Sequence, residues 1–218
     1  MIALNFLDKD LIPFSGKETV KEAKSILEKY ILNELPLLNH KKLKGIITKS
    51  DLHNYSDNVK ISELPVELFE SVGPQCHFFE IWSRIVESHL SCIPVVNDHD
   101  DYMGCIRQQT LLQFYGQSFA LTEPGCIVVL SQRRLDYSLS KIAAIVEEED
   151  CIILSSFVTE TSDKGTILIT IKLNCLEAQG ILNSFERYGL EIVDVFSEEA
   201  FSDVLKERFN MLMNYLNL

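Results

Sequence analysis

The sequence predicts a mixed α/β (α+β) chain: a doubled helix-and-hairpin unit, then a β-α-β-β-α-β sandwich, then a closing helix. Three observations carry that reading. Leu35-Pro36-Leu37-Leu38-Asn39 is echoed by Ile93-Pro94-Val95-Val96-Asn97, an offset of 58 between the prolines. Leu43-Lys44-Gly45-Ile46-Ile47 is echoed by Tyr102-Met103-Gly104-Cys105-Ile106, an offset of 59 between the glycines, so one residue is inserted in the intervening turn. After Pro124-Gly125 the pattern of apolar residues changes and no longer follows the earlier unit.

Upstream of each proline lies a helical stretch. Val20, Ala23 and Leu27 in the first copy align at the same offset with Phe78, Ile81 and Ile85 in the second, and both sets fall at i, i+3, i+7 on one apolar face. Each proline is expected at the first residue of a short strand, where its missing N–H costs no ladder hydrogen bond. A second helix is expected at about 51–55 and 109–115. Two β-α-β-β-α units this small should pack against one another to complete a core.

The stretch 115–125 holds two glycines and a Pro-Gly pair and marks a boundary. Beyond it the apolar runs predict strand Cys126–Ser131, helix Ser138–Glu148, strand Cys151–Val158, a Thr-Ser-Asp-Lys-Gly turn, strand Thr166–Leu173, helix Leu176–Tyr188 stopped by Gly189, and strand Leu190–Phe196. That order is the one of a ferredoxin-like sandwich. A helix from about 198 to 216 is expected to follow, capped by Ser197, with the apolar stripe Phe201, Val204, Leu205, Phe209, Leu212, Leu216. The expected domains are 1–121 (repeats of roughly 1–60 and 61–121), 122–197 and 198–218.

Composition narrows the partners. Of the 218 residues, 46% are hydrophobic and 24% charged, as in globular chains, and no apolar run reaches the length of a membrane helix. No membrane insertion is expected. The formal charge of −12 divides into −5 over residues 1–123 (12 basic, 17 acidic) and −7 over 124–218 (8 basic, 15 acidic). Neither half is basic, and an acidic chain is repelled by a phosphate backbone, so nucleic acid is not an expected partner. The start shows no basic, apolar leader, and a cytoplasmic location is expected. Six cysteines stand singly, without a CxxC pair, and read as free thiols packed as small hydrophobes.

The doubled unit resembles the CBS domain. The resemblance rests on the pairing, the two prolines, and Gly45-Ile46-Ile47-Thr48-Lys49-Ser50-Asp51, followed by Leu52, which has the family form Gly-hydrophobic-hydrophobic-Thr-x-x-Asp. In that family the matching Thr and Asp serve a ribose phosphate. Independently, a Thr ending a strand and an Asp in the first helical turn would place hydroxyl, carboxylate and backbone amides at one spot. The same spacing also describes a helix-capping box. The candidate nucleotide-binding residues are Thr48, Lys49, Ser50, Asp51, Pro36 and Ile47. In the second repeat the aligned positions are Arg107 and Thr110, so one site per chain is expected, with Arg107 either a phosphate contact or a solvated side chain.

The C-terminal half resembles the ACT domain in topology, which implies an amino-acid site. Its first turn, Leu135-Asp136-Tyr137-Ser138-Leu139, lacks the expected glycine. The whole arrangement resembles bacterial CBS-domain proteins of the Bacteroidetes type.

No catalytic motif is present, and the five histidines are never spaced i, i+4, so neither an enzyme nor a metal site is expected. Trp82 and Phe78-Phe79 read as core, and Glu147-Glu148-Glu149-Asp150 as a solvated helix end. No obligatory cofactor is expected. The leading expectation is a homodimeric regulator that binds an adenine nucleotide (AMP, ADP, ATP or a related adenosyl compound) and signals to an enzyme or transporter. A ligand-free assembly scaffold and an amino-acid sensor are the alternatives.

Overall fold

Helix α1, Val20–Tyr30, starts where Thr19 and Glu22 satisfy each other's backbone: Thr19 Oγ1 accepts from the Glu22 N–H, and the Glu22 carboxylate accepts from the Thr19 N–H at 2.8 Å. It ends at Ile31, which takes the left-handed conformation at φ 57°. The second repeat uses the same device 58 residues on. Its long helix (Phe78–Ser88) is capped by His77 with Glu80 and ends at His89, φ 55°. The computed structural model describes residues 1–66, 70–162 and 165–197. Contacts divide the chain into two units, Met1–Phe114 and Tyr115–Leu218, so that the dividing point falls inside a helix upstream of the Pro124-Gly125 turn.

In the first unit, strands β1 (Glu34–Asn39) and β2 (Lys42–Thr48) form one antiparallel hairpin. Strands β3 (Cys92–Val96) and β4 (Tyr102–Arg107) form another. Each hairpin has a bulge at the same place, between Leu37 and Leu38 in one and Val95 and Val96 in the other. Helix α2 (Lys49–His53) follows the first hairpin. With Phe78–Ser88 as α3, helix α4 (Gln108–Ser118) follows the second and carries the chain across the dividing point. The predicted helix faces are the buried ones: Val20, Ala23, Leu27, Phe78, Ile81 and Ile85 are all in the core. Truncating Leu27, Ile81 or Ile85 to alanine typically costs about 2–5 kcal/mol.

Both prolines sit third in their strands, not first. The Pro36 carbonyl accepts from the Phe14 N–H at 2.8 Å, and the Pro94 carbonyl accepts from the Val72 N–H at 3.0 Å. Because a strand residue points its N and its carbonyl to the same edge, each proline nitrogen faces away from its hairpin partner and no rung is lost. Phe14 and Val72 thus supply the one-residue parallel bridge that opens each unit.

The repeats exchange their leading segments. Residues 1–8 precede the first repeat but pair with the second, through Ile2 bridging His77 and Asp8 bridging Cys105. Residues 59–61 precede the second repeat but pair with the first: Lys60 bridges Thr19, the Val20 N–H donates to Val59 and the Ile61 N–H to Glu18. Short 3-10 turns at Ala3–Phe6 and Ile61–Glu63 mark the two equivalent places. Phe6 packs with Phe78 and Phe114, ring centroids 5.8 and 5.1 Å away. Phe79, expected in the core beside Phe78, is 64% exposed, because it lies one residue around the helix from that cluster.

The second unit is a four-stranded antiparallel sheet in the order β6-β7-β5-β8, built from β5 (Cys126–Arg133), β6 (Ile153–Glu160), β7 (Thr166–Leu173) and β8 (Glu191–Phe196). Helices α5 (Leu139–Glu148) and α6 (Gln179–Arg187) complete the β-α-β-β-α-β order of the ferredoxin-like sandwich. Along β7, Ile167, Ile169, Ile171 and Leu173 are buried and alternate with half-buried residues; Val128 and Leu130 do the same on β5. Gly125 lets β5 start close to β7, since a Cβ there would lie 2.0 Å from the Leu173 carbonyl oxygen. The acidic run at the end of α5 is not simply solvated. Glu148 accepts from the Tyr188 hydroxyl at 2.9 Å, and Glu149 accepts from the buried Ser184 hydroxyl, tying α5 to α6. The expected helix at 198–216 and its apolar stripe lie outside the described residues.

Candidate functional site

Thr48 ends β2 with extended dihedrals and Asp51 occupies the first turn of α2, as the heptad predicts. The two close a capping box. Asp51 Oδ2 accepts from the Thr48 N–H at 2.8 Å and from Thr48 Oγ1 at 2.7 Å, while Thr48 Oγ1 accepts from the Asp51 N–H at 3.1 Å. Ser50 Oγ lies 2.7 Å from Thr48 Oγ1, so three polar side chains converge. Thr48, Lys49 and Asp51 are half-buried and Ser50 is exposed.

The backbone amides expected to face a ligand are largely engaged. The N–H groups of Thr48 and Asp51 serve the cap, and the Lys49 N–H donates to the Asn33 carbonyl at 2.8 Å. What remains for recognition is side-chain oxygen. A carboxylate offers about four acceptor positions, and the cap occupies two of them, both on Oδ2; Oδ1 has no hydrogen-bond partner among the described residues.

Of the two apolar candidates, Pro36 shares the face of Thr48 and Ile47 does not. The hairpin register pairs Leu35 with Ile47 and Pro36 with Ile46, so Pro36 and Ile47 project to opposite faces. Ile47 is fully buried in the core with Leu35 and Leu37, whereas Pro36 lies on the face of Glu34 and Thr48. Strand alternation in 45–48 carried that signal.

Sequence reasoning missed Glu34, which stands directly across the hairpin from Thr48. Its side chain is buried at the seam between the repeats. Oε1 accepts from the Ser91 N–H (2.5 Å), Ser91 Oγ (2.7 Å) and the Cys92 N–H (2.9 Å). Its position in the repeat is that of Cys92, and this mismatch inside an otherwise apolar strand was the available clue.

Arg107, aligned with Thr48, is not a solvated side chain. Its Nε donates to Asp8 Oδ2 at 2.5 Å, Nη1 donates to the Tyr30 carbonyl at 3.2 Å, and the guanidinium lies 5.3 Å from the Tyr30 ring centroid. The side chain is 20% exposed. Asp8 and Tyr30 therefore occupy the fork that a phosphate would need. A cavity of about 400 Å³ in this unit is lined by Pro13, Phe14, Ser15, Lys17, Leu38, Asn39 and His40, at the end of β1 away from Thr48.

A doubled β-α-β-β-α unit with a Thr-x-x-Asp cap at the first hairpin's end is now in view, and residues 4–58 match the family model of the CBS domain. The first repeat is a CBS domain. The second, with equivalent caps, bulges and bridges, completes a CBS pair. The chain is similar to an inosine-5'-monophosphate dehydrogenase of Korarchaeum cryptofilum, 24% identical over 118 residues, 53% of this chain and 24% of that protein. It is also similar to a homoserine O-acetyltransferase of Methanococcus vannielii, 26% identical over 117 residues, 50% of this chain and 24% of that protein. The chain thus spans about a quarter of the length of either relative. Among solved structures it is similar to a CBS domain pair/ACT domain protein from Thermotoga maritima, at 16% identity and TM-score 0.49, covering 54% of this chain and 98% of that one.

Proposed function

We propose that this chain is a non-catalytic regulatory protein whose CBS pair senses an adenine nucleotide and passes a conformational change to a partner enzyme or transporter. The observation that carries this reading is the half-buried Asp51 inside a matched CBS domain, its Oδ2 bonded to Thr48 and its Oδ1 without a hydrogen-bond partner among the described residues. The ribose diol donates to Asp51, which Thr48 orients through its hydroxyl, and the Ser50 hydroxyl donates to the adjoining phosphate. Glu34 and Asp51 flank Thr48 with two carboxyls, and Lys49 is the cation of the heptad. That balance favours AMP or a cationic adenosyl compound such as S-adenosylmethionine over the more highly charged ATP. Arg107 takes no part. The protein acts as a homodimer in the cytoplasm.

The test is a thermal-shift panel of AMP, ADP, ATP, S-adenosylmethionine and NAD on the full chain. A ligand present at 100 times its dissociation constant adds about 2.7 kcal/mol to the state that binds it. An adenosyl compound should raise the melting temperature, and Asp51→Asn should remove that shift while leaving the protein folded. A panel without any response favours the ligand-free scaffold.

One observation favours a second reading, an amino-acid sensor in the second unit. A cavity of about 590 Å³ lies beside the turn after β5, where Lys141 and Glu148 offer opposite charges. Gln132 also lines it, with a buried Oε1 that has no hydrogen-bond partner among the described residues. A response confined to amino acids, removed by Lys141→Ala, would select this reading over the first.

A further inference from the structure

Three cysteines that stand 24 and 25 residues apart in sequence meet at one end of the second unit's sheet. Cys126 is the first residue of β5, Cys151 lies two residues before β6, and Cys175 lies two residues after β7. The backbone holds this end closed. Cys126 pairs across the ladder with Leu173, the Asn174 N–H donates to the Ile152 carbonyl at 3.1 Å, and the Ile152 N–H donates to Asn174 Oδ1 at 2.7 Å. Gly125 permits the close approach of β5 to Leu173 and so brings Cys126 near Cys175.

The sulfur atoms of Cys126 and Cys175 are 3.5 Å apart, and the Cys151 thiol lies near enough to Cys175 for the two to perturb each other's titration. Cys175 is therefore the middle member of a row of three. Cys126 is buried, whereas Cys151 and Cys175 are half-buried. All three are free thiols.

We propose that this row is an oxidative modification site, in which a hydroperoxide oxidises Cys175 and Cys126 then closes a disulfide with it. In the first step the Cys175 sulfur takes the distal oxygen of the peroxide. The O–O bond breaks, an S–O bond forms, the sulfur loses two electrons to the peroxide, and an alcohol, or water from hydrogen peroxide, departs. In the second step the Cys126 sulfur attacks Cys175, the S–S bond forms, the S–O bond breaks, and water leaves with the Cys126 proton. Two thiols and one hydroperoxide thus yield one disulfide, one alcohol and one water. Cys175 is the sulfur that solvent can reach, and Cys126 is the one already within contact of it.

Burial pushes all three thiols up, Cys151 to about 12, so the thiolate is scarce at neutral pH and the reaction is slow there. Its rate should climb as pH rises from 7 to 9. The bond would link the start of β5 to the β7–α6 connection, a constraint independent of any ligand at Asp51.

The test treats the full chain with hydrogen peroxide at pH 7 and pH 9, blocks remaining thiols by alkylation under denaturing conditions, and reads intact mass and peptide maps. The expected result is the loss of two alkylatable thiols and two hydrogens, a Cys126–Cys175 cross-linked peptide, and several-fold faster conversion at pH 9. Cys126→Ser should remove the cross-link and leave Cys175 carrying added oxygen; Cys76→Ala, at a thiol in the other unit, should leave the cross-link and the loss of two thiols unchanged. Six alkylatable thiols after treatment, a cross-link to Cys151 in place of Cys126, or an undiminished loss of thiols in Cys126→Ser would each overturn the proposal.

Discussion

The two CBS repeats share their frame and differ at the two places where a polar side chain enters it. Helix caps, strand bulges and opening bridges recur at matching positions, so the shared parts are those that satisfy backbone hydrogen bonds. At the hairpin's end, however, the first repeat holds Thr48 and Asp51 in a cap that leaves Oδ1 of Asp51 available. The second places Arg107 there and closes it with Asp8. At the seam, Glu34 of the first repeat faces the backbone of Ser91 and Cys92, and Cys92 offers no such acceptor in return. The difference teaches that one scaffold accepts either a polar opening or a filled one at the same place.

Glu34→Ala should break this comparison most severely. It removes the acceptor of three hydrogen bonds at a buried seam and leaves the Ser91 and Cys92 amides unsatisfied, a loss of about 3 kcal/mol. Urea unfolding of the full chain measures it, and a loss below about 1 kcal/mol would mean that the repeats are held together elsewhere. Glu34→Gln retains an oxygen acceptor and should cost less.

Arg107→Ala comes next. The pair with Asp8 is mostly buried and the guanidinium also holds the Tyr30 carbonyl, so a loss of about 1–2 kcal/mol is expected. Asp8→Ala should cost a similar amount. If the double variant loses the sum of the two, the contact contributes nothing of its own and the second repeat is not closed by this pair.

Thr48→Ala should cost about 1 kcal/mol through the lost cap. Its informative partner is Thr110→Ala, at the position aligned with Asp51, which should leave both stability and any adenosyl response unchanged. An equal effect of the two on the ligand response would erase the asymmetry.

The smallest effect concerns the matched helix starts. Hydrogen bonds from the Thr19 backbone and hydroxyl hold Glu22 below its ordinary value of 4.5, and the Cys76 thiol followed by the His77 amide does the same for Glu80. A carboxylate whose folded pKa is depressed stabilises the fold above its unfolded pKa and loses that contribution as pH falls through the folded one. Carboxyl titration by NMR should therefore place both midpoints below 4.5, with stability declining as pH drops past that point. A Glu22 midpoint at or above 4.5 would show that the Thr19 cap is not formed in solution.

Much of this frame was legible because it repeats. Val20, Ala23 and Leu27 predict their counterparts Phe78, Ile81 and Ile85 through helical spacing alone, and alternation along Thr166–Leu173 predicts the sandwich's inner face. The position of Thr48 and Asp51 was legible too, since a strand end and a first helical turn are local. The neighbours of the site were not. Arg107 finds Asp8 across 99 residues, and nothing near either residue announces the other. The exchange of leading segments is likewise a matter of tertiary register, and the three thiols of the second unit converge only because βαββαβ topology returns distant strand ends to one edge. Pro36 was misplaced within its strand because the parallel bridge at Phe14 has too short a pattern to read.

The crossed leaders have a consequence for the order in which the molecule can be made. Asp8 leaves the ribosome 99 residues ahead of Arg107, its counter-ion. At synthesis rates of about 5–20 residues per second that is a wait of roughly 5–20 s. During that interval Ala3 and Phe6 have no native place to dock, and the nascent first repeat must hold its shape without them or be sheltered until the second emerges.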